Sequence, residues 1–157
     1  MHGDLLHIKV DAIVQQCNCL TVKPHGLSQS IADQFPRANL YATRRPMGRR
    51  NLAIEADRGI PGTIRIFPGD PDVICFLAQW DYGKGTQRLP LYPDTREQRE
   101  LWFQQCLQAL GTLSYKTLAF PYKIGCGLAG GYWPHYRQLI HDFAHTYHQH
   151  VYIVIKK

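Results

Sequence analysis

The chain is short of charge. Charged residues fill 19% of its 157 positions, against 45% for hydrophobic ones. A disordered chain shows the reverse balance, so the material for a folded core is present. The length fits one domain, spanning residues 1–157. Acids are the scarcer sign: 12 Asp and Glu stand against 18 Lys and Arg, for a net charge of +6. That excess mildly favours phosphate-bearing partners and is too weak a cue to name nucleic acid. No apolar run nears the ~20 residues that cross a bilayer, so no membrane span is expected. Internal repeats and low-complexity tracts are absent. So is a disulfide frame: the cysteines number five, an odd count, and no secretory signal pattern precedes them. A reduced, cytoplasmic protein is expected, and a monomer.

What is present is an alternation of strand and helix patterns. Val10 to Asn18 reads as a buried strand that turns polar at its end. Leu27, Ile31 and Phe35 recur at helical spacing, and a second short helix is expected over 37–43. Gly62 to Phe67 alternates like a half-buried strand, and Val73 to Gln79 is an apolar run suited to a central one, with the two able to pair as a hairpin. Residues 80–93 read as loop, with Gly83, Gly85, Pro90 and Pro93. Asp94 or Thr95 caps the next helix, where Leu101, Trp102, Phe103, Cys106, Leu107 and Leu110 line one face. A strand at Leu118–Phe120, a helix with Tyr136, Leu139, Ile140, Phe143, Ala144 and Tyr147 inward, and a strand at Val151–Ile155 complete the order. Such an order argues a three-layer α/β domain with a mixed, mostly parallel sheet.

In such folds ligands sit at the carboxyl ends of strands. Two strand ends there are polar or bare. One is Gln15 to Asn18; the other is Ile124 to Gly131, with four glycines in seven residues from Gly125. Glycine-rich turns that feed helices present unpaired N–H groups suited to phosphate oxygens. They also simply let a helix pack close to a sheet. Both readings stand on the glycines alone. No Lys-Ser/Thr follows, which excludes the usual nucleoside-triphosphate loop.

Other candidates carry less. Cys17 and Cys19 give two thiols, which do not close a zinc site, so no metal is expected. His141, His145 and His148 share a helix side and read as a solvated face. The basic loop Arg44–Arg50 reads as solvated surface, with a nucleic-acid grip as its rival. His25, beside Gly26, has the chemistry of a general base.

Taken together, Gly3-Asp4-Leu5-Leu6, Val10 to Asn18, Gly26 opening a helix, and Ile124-Gly125-Cys126-Gly127-Leu128 running on to Trp133 resemble the macro domain over nearly the whole chain. The motifs are most similar to the terminal ADP-ribose protein glycohydrolase and ADP-ribose-1″-phosphate phosphatase branches. The resemblance implies the α/β/α macro-domain fold and an ADP-ribose pocket, with no cofactor. It implies that Asp4 accepts the adenine amine with Leu5 beside it, and that Asn18 faces the distal ribose. Gly26, Leu27 and Ser28 match the first ligand loop, and Gly125, Cys126, Gly127 and Leu128 the loop around the diphosphate.

The resemblance further implies removal of ADP-ribose from modified macromolecules, with acidic protein side chains first in line and nucleic-acid-linked ADP-ribose left open. Asn18, His25 and Ser28 are the catalytic candidates. A phosphatase on ADP-ribose 1″-phosphate and a non-catalytic reader are the alternatives. Departures are specific. Only Met1 and His2 precede Gly3, so the first strand is missing or very short. Ser28 stands where one class has a catalytic aspartate, and Ala129 where the glycohydrolase branch has another. That branch also places a lysine after the central strand; here Gln79-Trp80-Asp81 follow and the nearest lysine is Lys84. Direct attack by water is therefore expected in place of a lysine adduct.

Overall fold

The computed structural model describes residues 1–84 and 88–156. Gly85, read from the sequence as a loop glycine, lies outside the described residues. Six strands form one sheet: β1 (His2–Gly3), β2 (Ala12–Asn18), β3 (Ile64–Phe67), β4 (Asp72–Gln79), β5 (Thr117–Pro121) and β6 (His150–Lys156). Their spatial order is β1-β6-β5-β2-β4-β3. Every neighbouring pair is parallel except the β3–β4 hairpin. Three helices join them: α1 (Leu27–Gln34), α2 (Arg96–Gly111) and α3 (Trp133–Tyr147).

Period-two alternation on the central strands divides the core into two layers. Ala12, Val14, Ile74, Phe76, Leu118 and Phe120 pack against α2 and α3 through Trp102, Phe103, Tyr136, Ile140 and Phe143. Ile13, Val73, Ala119 and Val154 face the other way, toward Leu5, Ile31 and Ala38. The architecture is thus α/β/α. Phe76 is the middle of an aromatic group, with ring centroids 5.4 Å from Phe103 and 6.0 Å from Phe120. Phe103 in turn lies 4.7 Å from Tyr136 of α3.

The structure decides two open alternatives, the first strand and the cap of α2, and corrects two expectations, the helix over 37–43 and the inward place of Leu101. The first strand is short rather than missing: β1 has 2 residues, held to β6 at Ile155 and Lys156. No single helix spans 37–43. Pro36 and the extended Asn39 split that stretch into 3₁₀ turns at Pro36–Ala38 and Tyr41–Thr43. Leu101 points outward, 53% exposed, because the buried stripe of α2 runs 99, 102, 103, 106, 107, 110. Thr95, not Asp94, caps α2, its hydroxyl accepting from the Gln98 amide at 3.1 Å.

Phe76→Ala should lower unfolding free energy by about 3–5 kcal/mol, since it removes a fully buried ring from a group that cannot close over the gap. Urea unfolding monitored by circular dichroism measures this. A loss under about 1 kcal/mol would show that the aromatic group is not the centre of the core.

Candidate functional site

The loops after β2, β4 and β5 all leave the carboxyl edge of the sheet, because these strands are mutually parallel. From β2 the chain passes to α1 and onward to β3 and β4; from β5 it passes to α3 and β6 on the other side. Adjacent strands β2 and β5 therefore feed helices on opposite faces. The crevice between their loops is the topological switch point of the sheet, where open α/β folds bind ligands. The two segments singled out in the sequence flank this crevice.

In the turn after β5, the glycines serve two different purposes. Gly125 and Gly130 have φ of +73° and +77°, a backbone that side chains disfavour. A Cβ on Gly125 would also meet Gln16 Oε1 and the Tyr136 ring at 2.7 Å, and one on Gly131 would meet the Gly125 carbonyl oxygen at 2.5 Å. These glycines let the turn settle onto the core. Gly127 is different: a Cβ there would meet nothing within 4 Å. Its bareness serves no internal packing. Leu128 beside it is exposed, and Cys126 is half-buried. Burial pushes the Cys126 thiol up to about 12, so it is no nucleophile at neutral pH.

Across the crevice, the end of β2 is rigidly tied. Asn18 is buried; its Oδ1 accepts from the Leu20 and Thr21 amides at 3.0 and 2.8 Å, and its Nδ2 donates to Thr21 Oγ1 at 3.0 Å. Arg44 reaches in to donate to the carbonyl oxygens of Thr21 and Asn18 at 2.8 and 2.7 Å. Arg44 is thus buried, contrary to the solvated reading of its loop, and Arg45 pairs with Asp57 at 2.9 Å. The rest of that loop, residues 45–50, is exposed as expected. His25 is exposed, Gly26 has φ +57° at the start of α1, and Leu27 is largely exposed. Ser28 turns inward, its hydroxyl donating to Gln15 Oε1 at 2.8 Å.

Asp4 lies just past β1 on the same edge, and Leu5 is buried on the α1 side of the sheet. The Asp4 carboxylate is exposed; His7 Nδ1 lies 2.6 Å from Oδ2, and the Leu6 amide donates to Oδ1 at 3.0 Å. The His7 contact, then the Leu6 amide, hold its carboxyl below the ordinary aspartate range.

The third loop holds residues that the sequence reading passed over. Arg99 of α2 is 2% exposed and forms a two-pronged pair with Asp94, at 2.7 and 2.9 Å. It also donates to the carbonyl oxygens of Asp81 at 3.0 Å, Gly83 at 2.5 Å and Ala129 at 3.0 Å. Asp94 accepts from the Trp80 and Asp81 amides at 3.2 and 2.9 Å. One ion pair thus joins α2, the loop after β4 and the glycine turn. The signal was present: Arg99 falls in register with Trp102, Phe103 and Cys106, a cation on an apolar stripe.

Two depressions of about 330 and 480 Å³ run along the outer faces of α2 and α3. Both are lined by Glu97, Glu100 and His135. Neither depression is lined by a residue of the segments Gln15 to Ser28 or Ile124 to Gly131 that flank the switch point. Among the described residues, no three His, Cys, Asp or Glu side chains gather as metal ligands.

Parallel strands with their loops on one edge and a switch point between β2 and β5 define an open α/β domain. The particular fold is the macrodomain fold. The macrodomain of Thermus aquaticus DarG superposes with a TM-score of 0.67 at 19% identity, covering 99% of this chain and 95% of that one. The macrodomain of Mycobacterium tuberculosis DarG gives 0.67 at 17% identity, covering 99% and 94%. Thermosipho africanus DarTG, solved in complex with ADP-ribose, gives 0.63 at 17% identity, covering 98% of this chain and 40% of that one. No family model and no curated protein sequence matches the chain.

Gly127→Val should melt within about 2 °C of the parent, whereas Gly131→Ala should melt several degrees lower, the shift expected for about 1–2 kcal/mol in a domain of this size. Differential scanning calorimetry separates the two; equal losses would mean that Gly127 also serves packing. Cys126 should resist iodoacetamide at pH 7.5, and its alkylation rate should climb as pH rises toward about 12. Rapid labelling at neutral pH, read by peptide mass mapping, would contradict the thiol's assignment.

Proposed function

We propose that this domain binds ADP-ribose across the switch-point crevice and removes it from a modified macromolecule. The open face of Gly127 carries the reading. It is the one glycine of the turn whose added Cβ would meet no neighbour, and it lies in a loop at the carboxyl edge, where bare backbone suits a diphosphate. Asp4 on the same edge supplies an acceptor for an adenine amine, and buried Leu5 gives it a fixed position. The ADP-ribose complex of Thermosipho africanus DarTG shares the fold, which supports the choice of ligand.

For turnover, the Gly125–Leu128 backbone would orient the distal ribose for water attack at the anomeric carbon. A carboxylate leaving group needs little acid assistance, so acidic protein side chains are the first substrates to try. His25 is the exposed loop base available to activate water. A second reading has a specific observation behind it. The side chains of Asn18 and Ser28 are engaged by Thr21, Leu20 and Gln15, which favours a reader that holds ADP-ribose without cleaving it.

Incubation with protein-linked, nucleic-acid-linked and phosphate-linked ADP-ribose distinguishes the readings. Release of ADP-ribose from an acidic protein linkage supports the hydrolase. Release from the phosphate alone supports the phosphatase, and tight binding without release supports the reader. Asp4→Ala should weaken ADP-ribose binding roughly ten- to a hundredfold, the worth of a charge-assisted hydrogen bond. Gly127→Val should abolish it in a folded protein. Unchanged affinity by calorimetry in both variants would remove the site from this edge.

A further inference from the structure

Lys84 lies where the loop after β4 meets the glycine turn. A Cβ built on Gly130 would sit 3.1 Å from Lys84 Cγ and 3.5 Å from both Cδ and Cε. The aliphatic stem therefore lies flat across Gly130, and the ammonium, one bond beyond Cε, borders the turn. The residue is exposed, and among the described residues no carboxylate pairs with it. Its neighbours Asp81 and Arg88 are already paired with each other at 2.7 Å.

Lys84 is held there from below. Gly83, with φ +62°, precedes it, and the Gly83 carbonyl oxygen accepts from Arg99. The same nitrogen of Arg99 donates to Ala129, next to Gly130. A guanidinium has five N–H donors. All are engaged, at Asp94, Asp81, Gly83 and Ala129, so Arg99 has none left for a ligand. It acts on the site only through what it holds.

Building on the ADP-ribose reading, we propose that Lys84 is the cation that meets the ligand's diphosphate at the glycine turn, and that Arg99 is the positioning residue that sets it there. The glycine turn then gives backbone amides on one side of the diphosphate and a single charge on the other. An ammonium is a flexible point charge, suited to two phosphates whose orientation the amides already fix. Selectivity follows: the lysine favours ligands with a diphosphate over nucleosides that share only the adenine.

Calorimetry with ADP-ribose, ADP and adenosine, at low and moderate salt, tests this on the full chain. Lys84→Ala should weaken ADP-ribose and ADP about tenfold or more, leave adenosine within about twofold, and flatten the salt dependence of ADP-ribose binding. Arg99→Lys should show the same ligand pattern, and the double variant should be no weaker than the worse single one. Gly130→Ala crowds the lysine stem, its Cβ 3.1 Å from Lys84 Cγ, and also strains a backbone with φ +77°, so it serves, with its melting temperature measured alongside, if Arg99→Lys fails to fold. Its loss should likewise vanish in the Lys84→Ala background. Wild-type affinity in Lys84→Ala, or equal losses for adenosine, would overturn the Lys84 assignment. Additive losses in the double variants would overturn the positioning role. A parent protein that binds neither ADP-ribose nor ADP would overturn the underlying reading, and this proposal with it.

Discussion

The buried pair of Arg99 and Asp94 is the contact on which the loops of the carboxyl edge are assembled. Taking two charges out of water costs several kcal/mol per ion unless geometry and extra hydrogen bonds compensate. Here both conditions hold. The guanidinium and carboxylate meet through two bonds, and the remaining donors and acceptors are satisfied by loop backbone. An apolar pair of similar volume would fill the same space. It would leave the Asp81, Gly83 and Ala129 carbonyls and the Trp80 and Asp81 amides without these partners. The charge at this place is explained by the loops it ties together.

Arg44 repeats the arrangement on the opposite wall of the crevice. It donates to the Asn18 and Thr21 carbonyls, while its guanidinium lies 5.1 Å from the Tyr41 ring centre. Each wall is thus an irregular loop whose carbonyls are gathered by one buried arginine. Between the walls the β2 and β5 strand ends give a crevice whose outline is set by the sheet. On the proposed reading, neither arginine needs to meet the ligand in order to shape its site.

Much of the fold was readable from the residues. The parallel order followed from buried apolar runs alternating with helical stripes, and polar strand ends and glycine density pointed to loops that the structure places at the carboxyl edge. What escaped were properties that sequence distance hides. Arg44 sat in a run of basic residues and read as solvated, because its carbonyl partners lie 23 and 26 positions earlier. Leu101 read as core since it adjoins Trp102 and Phe103; the helix turns about 100° per residue, and an arginine had taken the next inward place. The four glycines looked equivalent in the string. Only the positions of Gln16, Tyr136 and Lys84 show which of them the core requires and which it leaves bare.

The five bonds of Arg99 also bear on how the crevice comes into being. Its partners lie 5, 16, 18 and 30 positions away along the chain, so none but Asp94 is local to the helix. Helix α2 must dock before the loop after β4 and the glycine turn have anything to close upon. Conversely, Asp81, Gly83 and Ala129 cannot move away without stripping carbonyl partners from a buried guanidinium. The ion pair ties these loop segments to the core, and the amides of Trp80 and Asp81, which donate to Asp94, should be protected from exchange to nearly the same degree as α2.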